Sequence, residues 1–222
     1  MQVFTNCVVV GPEETFRGSV SVEGGLIRDV DRGASQTSLA RNLEGRYLIA
    51  GLVEIHTDNL ERHLQPRNTR WPGLMALLAH DAQVSAVGIT TVLDAVCIGV
   101  DHDLHGNPRD FVADTACALR EAKRSGCLRA EHLLHYRCEL PHPNLVADFE
   151  RHASADELRL VSLMDHTPGQ RQTIDLARLR KGYERMGPVS DDWFDNVIRM
   201  EQEKQALHAG PNRRKLMESV RQ

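Results

Sequence analysis

This 222-residue sequence predicts an α/β fold: a parallel sheet flanked by helices and preceded by a small β-rich segment. Three observations predict it. Four short apolar runs recur along the chain, 48-LIAGLVEI-55, 89-ITTVLDAV-96, 132-HLLHYRCEL-140 and 158-LRLVSLMD-165. The segments between them carry apolar residues at three- and four-residue spacing, the period of a helix. Each run contains or ends in a histidine, a carboxylate or an arginine, as in βα folds whose ligands sit where strands end.

The elements follow in order. Over residues 1–45, Val3, Cys7–Val10, Val20, Val22, Leu26, Ile27 and Val30 alternate with polar residues, and 24-GG-25 offers a hairpin turn. The stretch 31-DRGASQTSLARN-42 reads as loop. The four runs are then strands, and 73-GLMALLAHDAQVSAV-87 and 109-RDFVADTACALREAKRSG-126 are helices that end at Gly88 and Gly126. A shorter helix is expected over 143-PNLVADFERHA-153. Strands that alternate with helices imply a parallel sheet, because a parallel crossover needs about a dozen residues or more. After Thr167 two polar helices are expected, over 171–186 and 190–210, with Ser190 as an N-cap.

Composition narrows the function. The 41% hydrophobic and 26% charged content is that of a soluble globular protein. A formal charge of -4 argues against a general nucleic-acid surface. No apolar run approaches the roughly 20 residues that cross a bilayer, and MQVFTNCVVV lacks the marks of a signal peptide. The five cysteines stand in no CxxC pattern and suit reduced cytoplasmic thiols.

The strand ends carry the candidate chemistry. His56 and Asp58 are two apart, so on an extended chain they point to one side and suit Zn²⁺ or Mn²⁺. Asp94 reads as a carboxylate orienting a ligand histidine, or as a hydrogen-bonding group of the core. Glu139 follows Arg137, and the two are either a metal bridge beside a cation or an internal ion pair. Asp165 and His166 precede 167-TPGQRQ-172, a Pro-Gly turn whose Arg171 can close over an anion. Arg62, Arg67 and Arg70 crowd one loop, which suits phosphate. There is no GxxxxGK[ST] motif. The run 101-DHDLHGN-107 is read as a polar connection.

The combination 51-GLVEIHTDNLERHLQPR-67, 80-HDAQVSAVGITTVLDAV-96, 134-LHYRCEL-140 and 164-MDHTPGQRQ-172 resembles the amidohydrolase superfamily. Within it, the strings resemble the diphosphatases of alkylphosphonate use in the carbon–phosphorus lyase pathway. The resemblance implies a partial (β/α)8 barrel of about four βα units over 46–222, after a portion of a β-sandwich over 1–45. It implies metal-dependent hydrolysis of a ribose 5-triphosphate to the 5-phosphate and diphosphate, with a divalent metal, Zn²⁺ or Mn²⁺. The implied metal ligands are His56, Asp58, Glu139 and His166, and the phosphate contacts are Arg67, Arg137 and Arg171. Asp94 and Asp165 are read from their strand positions as supporting carboxylates. The superfamily usually writes HxH where this chain writes HxD.

The family's SHDD-type and GNV-type segments and its late aspartate are not in this sequence, so no general base is assigned. That leads to the expectation of an incomplete site, and of a half-barrel that self-associates or pairs with a C-terminal half. Two other readings stand beside it. One is a non-catalytic fragment that binds a metal or a partner. The other is another amidohydrolase subtype, such as a cyclic-amide hydrolase, against which HxD and the arginine-rich loop weigh.

Overall fold

The computed structural model describes residues 1–64, 71–100, 111–185 and 187–220. Arg67, Arg70 and 101-DHDLHGN-107 lie outside the described residues. The chain divides into two compact units, Met1–Leu52 and Val53–Gln222.

The first unit is one mixed sheet. Its strands are β1 (Gln2–Val10), β2 (Thr15–Glu23), β3 (Leu26–Arg32), β4 (Arg41–Asn42) and β5 (Tyr47–Leu48), in the order β3-β2-β1-β4, with β5 also on β1. The hairpin forms at Gly24 and Gly25, both at positive φ (60° and 78°), a turn that side chains with a Cβ enter at a cost. A bulge interrupts the β1–β2 register between Phe4 and Cys7, and Asn6 there takes φ 51°. Cys7, Val9 and Val20 form a small core with Phe16, Val22, Leu43 and Leu48 packed against it. Leu26, Ile27 and Val30 on the edge strand β3 stay exposed, contrary to what their alternation suggests.

The second unit is α/β, as the runs predict. Its strands are β6 (Leu52–Thr57), β7 (Ile89–Ile98), β8 (Glu131–Glu139) and β9 (Leu158–Met164), neighbours in that order in a curled parallel half-barrel sheet. The helices are α1 (Asn59–Leu64), α2 (Gly73–Ala86), α3 (Phe111–Ser125), α4 (Leu145–His152), α5 (Leu176–Glu184), α6 (Asp191–Lys204) and α7 (Gly210–Ser219). Three sequence readings are corrected. The helix expected over 171–186 is a 3-10 turn at Arg171–Thr173 followed by α5, which Asp175 caps by accepting from the Arg178 N–H. The apolar run at 48–55 is not one strand: Leu48 joins the first sheet and Leu52–Thr57 the second, with Gly51 between. The last helix does not end at Gly210. A π turn over Gln205–Ala209 joins α6 to α7, and Pro211 falls in the first turn of α7, where its missing N–H costs least. Ser190 does cap α6, accepting from the Trp193 N–H at 3.2 Å.

The main core lies between the helices and one face of the sheet, around Leu77, Val96, Ile98, Leu119, Leu134 and Tyr136. Tyr136 meets Phe149 of α4 edge-on, ring centroids 6.5 Å apart. Asn212 of α7 donates to the carbonyls of Leu140 and His142, both at 2.9 Å, which ties the C-terminal helix to the end of β8. No helix among the described residues is long and apolar enough to cross a membrane.

Thiol chemistry tests this packing. Cys7 and Cys138 are buried, and burial pushes the Cys138 thiol up to about 12. Cys117 and Cys127 are exposed. Iodoacetamide applied to native protein should label Cys117 and Cys127 within minutes, with Cys7 and Cys138 reacting only after denaturation. Mass spectrometry of the peptides reads the order.

Candidate metal and phosphate site

The period-2 alternation of β8 builds two different polar constellations. In the β7–β8 ladder Val92 pairs with His132 and Asp94 with Leu134, so even-numbered side chains of both strands share one face. That face meets the helices. The odd-numbered side chains His135, Arg137 and Glu139 share the opposite face, and the β9 register sets Ser162 beside Arg137 and Met164 beside Glu139.

On the helix side, Asp94 is fully buried and holds two histidines that the sequence reading did not select. His80 of α2 bonds its Oδ1 through Nε2 at 2.8 Å, and His132 bonds its Oδ2 through Nδ1 at 2.7 Å. Both imidazoles are fully buried, their rings 5.6 Å apart. Asp81, next to His80, accepts from the backbone N–H groups of Arg129 and Ala130, each at 2.9 Å, and from Arg129 Nη1. Burial pushes the Asp94 carboxyl up, but the bonds from His132 and His80 outweigh it and hold it below its ordinary range. For Asp81 burial likewise pushes up and the Ala130 and Arg129 bonds bring the net shift down. His80, Asp94 and His132 offer ligand atoms within 4.8 Å of one another. Those atoms stand at hydrogen-bond distance with no exposed surface, so they clamp α2, β7 and β8 together. Asp94 thus orients histidines, on the face away from His56.

On the other face the candidate residues form a ladder. His56 Nδ1 stands 3.2 Å from His135 Nδ1, and His135 Nε2 is 2.9 Å from Ser162 Oγ. Burial, then the neighbouring His56, lowers the His135 pKa. One rung on, Arg137 Nη1 donates to Asp58 Oδ1 at 2.6 Å, while Asp58 Oδ2 lies 3.6 Å from His56 Nε2. One rung further, Glu139 bonds His166 Nδ1, and the His166 backbone N–H donates to Glu139 Oε1 at 2.8 Å. At about 3.3 Å per residue, Glu139 sits some 13 Å along the strand from His135. His56 and His166 therefore lie on one side of the sheet, but His56, Asp58, Glu139 and His166 do not close around a single point among the described residues.

Glu139 and His166 line an open cavity of ≈ 500 Å³ with Gly99, Tyr183 of α5, and Glu201 and Lys204 of α6. Lys204 is 2.8 Å from Glu201. Asp165, next to His166 in sequence, is buried. Burial alone raises its carboxyl, but Thr167 donates to Oδ1 from both hydroxyl (2.6 Å) and backbone (3.1 Å), and the net shift is downward. Asp165 thus shapes the loop that presents His166. Arg171 opens a 3-10 turn at Arg171–Thr173, exposed and at φ 49°.

No family model matches the chain. The alpha-D-ribose 1-methylphosphonate 5-triphosphate diphosphatase of Escherichia coli (strain K12) is 39% identical over 215 residues, 95% of this chain. The chain spans 56% of that relative's length. The resemblance read from the motifs is thus matched along nearly the whole chain. Among solved structures, a D-hydantoinase is 14% identical with a TM-score of 0.44, covering 73% of this chain and 32% of that one. The L-hydantoinase of Arthrobacter aurescens is 12% identical with a TM-score of 0.45, covering 86% and 45%.

The buried clamp makes a stability prediction. Asp94→Ala strips the acceptor from two buried N–H groups, at roughly 1–3 kcal/mol each, and should cost about 3 kcal/mol or more in urea unfolding. Asp81 and Asp94 bind protons less readily folded than unfolded, from an ordinary value of 3.8. Their stabilisation is therefore present above that value and lost as pH falls below it, through the folded values. Asp94→Asn should flatten that acid limb in melts followed by circular dichroism.

Proposed function

We propose that this chain is a metal-dependent hydrolase of a phosphoanhydride. The substrate would be the ribose 1-methylphosphonate 5-triphosphate named for the E. coli relative, with diphosphate released and the 5-phosphate left. The observation that carries the reading is the row His135, Arg137 and Glu139 on β8. It sets imidazoles, a guanidinium and a carboxylate–imidazole pair along one open face. The 39% identity supports the substrate class.

The donor set fits a borderline divalent metal, Zn²⁺ or Mn²⁺: two imidazole nitrogens face each other, with carboxylates alongside. His56 and Asp58 at one end of the row, and Glu139 and His166 at the other, are the proposed metal side chains. A bound divalent ion supplies charge to phosphoryl oxygens and acidity to a water. The chain's own residues do the rest. Arg137 presents a planar fork to phosphoryl oxygens. Its present pair with Asp58 is partly exposed, and such pairs are worth about 1 kcal/mol or less, so a phosphate exchanges for it cheaply. Arg67 and Arg171 are proposed as further phosphate contacts. Glu139 fixes His166 through Nδ1, which leaves Nε2 as the nitrogen for a ligand. The buried His80–Asp94–His132 group has no surface to offer a substrate and is not the reaction site.

A cytoplasmic location is proposed on the five free cysteines. Self-association is proposed on β6, the edge strand of its sheet, where Leu52 (49%), Val53 (61%) and Ile55 (63%) are exposed.

The assay is diphosphate release with added Zn²⁺ or Mn²⁺ and His56→Ala as the blank. Arg137→Lys keeps the charge but loses the fork, and should lower kcat/KM by about tenfold or more. Stoichiometric metal without turnover would replace the hydrolase with a metal-binding, non-catalytic chain. Light scattering over a dilution series should show a dimer or larger, and a Val53→Lys, Ile55→Lys variant should shift it toward monomer.

A further inference from the structure

We propose that His135 of β8 is a metal ligand, paired with His56, and that Ser162 of β9 orients it. The inference rests on the metal-dependent reading above and adds to it two side chains absent from that ligand set.

The argument begins with the ring nitrogens. Two imidazole ligands on one tetrahedral ion, each about 2.0–2.1 Å from it, hold their nitrogens about 3.3 Å apart. His56 Nδ1 and His135 Nδ1 stand 3.2 Å apart. Their rings lie at 68° with centroids 5.1 Å apart, so the two nitrogens converge edge to edge rather than stack. Ligation by both Nδ1 atoms requires both Nε2 atoms to carry the proton, and each then needs an acceptor. The structure supplies one at bonding distance, Ser162 Oγ at 2.9 Å from His135 Nε2; His56 Nε2 is 3.6 Å from Asp58 Oδ2, an ion-pair distance and not a hydrogen bond.

Position supports the pairing. The two histidines come from β6 and β8, and they meet on the open face of the sheet. His135 itself is 4% exposed, whereas the His56 side chain is 44% exposed. His135 is thus held inside the fold, and His56 is reachable from solvent. The His80–Asp94–His132 group differs on each count. Its inner nitrogens are occupied by the Asp94 carboxylate, and no surface leads to it.

The experiment follows the histidine ring nitrogens directly. Uniformly ¹⁵N-labelled protein is titrated with Zn²⁺ while long-range ¹H–¹⁵N correlations report each ring. One equivalent should move the Nδ1 resonances of His56 and His135 together, with both Nε2 atoms remaining protonated. In a parallel competition against a chromophoric chelator, His135→Asn should weaken Zn²⁺ binding by a hundredfold or more. Ser162→Ala should weaken it by roughly 10–100-fold, the usual effect of losing a partner that orients a ligand. Movement of His56 without His135 would overturn the inference and leave the metal-dependent reading standing. Movement of His80 and His132 instead would overturn it too. No movement at any histidine, with no competition for the chelator, would overturn both. The titration uses the unmodified chain, so an unfolded variant does not spare the proposal.

Discussion

The clamp at Asp94 is the interaction on which the rest of the second unit depends. One carboxylate, without exposed surface, takes a hydrogen bond from α2 on one oxygen and from β8 on the other, while its own backbone lies in β7. A buried carboxylate is costly unless its oxygens are satisfied. Once they are, the cost becomes a constraint, because no sliding of β8 against β7 or of α2 over the sheet keeps both bonds. Asp81 adds a second tie from α2, to the backbone at Arg129 and Ala130 where β8 begins. The register of β8 is fixed from its first residues, and with it the face on which His135, Arg137 and Glu139 emerge.

That register explains why a polar row survives inside a β strand. Leu134, Tyr136 and Cys138 bury fully against the helices and anchor the strand. The residues between them need not contribute to that core, so they are free to carry charge. Each is met by a partner from another element: His135 by His56 and Ser162, Arg137 by Asp58, Glu139 by His166. The row alternates donors and acceptors, with the one guanidinium flanked by imidazole and carboxylate. A polyanionic ligand laid along it meets positive charge at its middle and exchangeable partners at both ends.

Much of this was legible in the sequence, and the losses have physical reasons. The strands β7 and β8 and the helices α2 and α4 follow from period, because each has buried residues recurring on one face. His56, Asp58, Glu139 and His166, selected from the strand ends, emerge on one side of the sheet. His80 and His132 were not selected, because what makes them matter is a shared partner, 14 residues away for one and 38 for the other. A signal was nevertheless present. His132 and His135 are three apart in a strand, so they face opposite ways, and an aspartate inside the apolar run 89-ITTVLDAV-96 demands buried donors. The apolar run at 48–55 misled because continuity of hydrophobicity does not distinguish one strand from two that serve different sheets. The helix after Ser190 was read short because Gly210 and Pro211 together resemble a stop, and a π turn absorbs them instead.

The strands of the sheet are unequal in a way that bears on ligand binding. β7 and β8 are locked by core and clamp, whereas none of the six residues of β6 is buried. Yet β6 and the residue after it carry His56 and Asp58. What holds that end of β6 across to β8 is polar: the His56–His135 contact and the Asp58–Arg137 pair. Both contacts are partly buried, and neither adds apolar burial to β6. An ion shared between a locked strand and a lightly held one would do more than bind. It would transfer part of its binding free energy into seating β6, as metal sites do when ligands come from elements that are not rigid beforehand. On the proposed reading, an anion that drew Arg137 from Asp58 would loosen β6 at the point where the ion would tighten it. Metal and phosphate would therefore be coupled through β6 with no change in the buried clamp beneath.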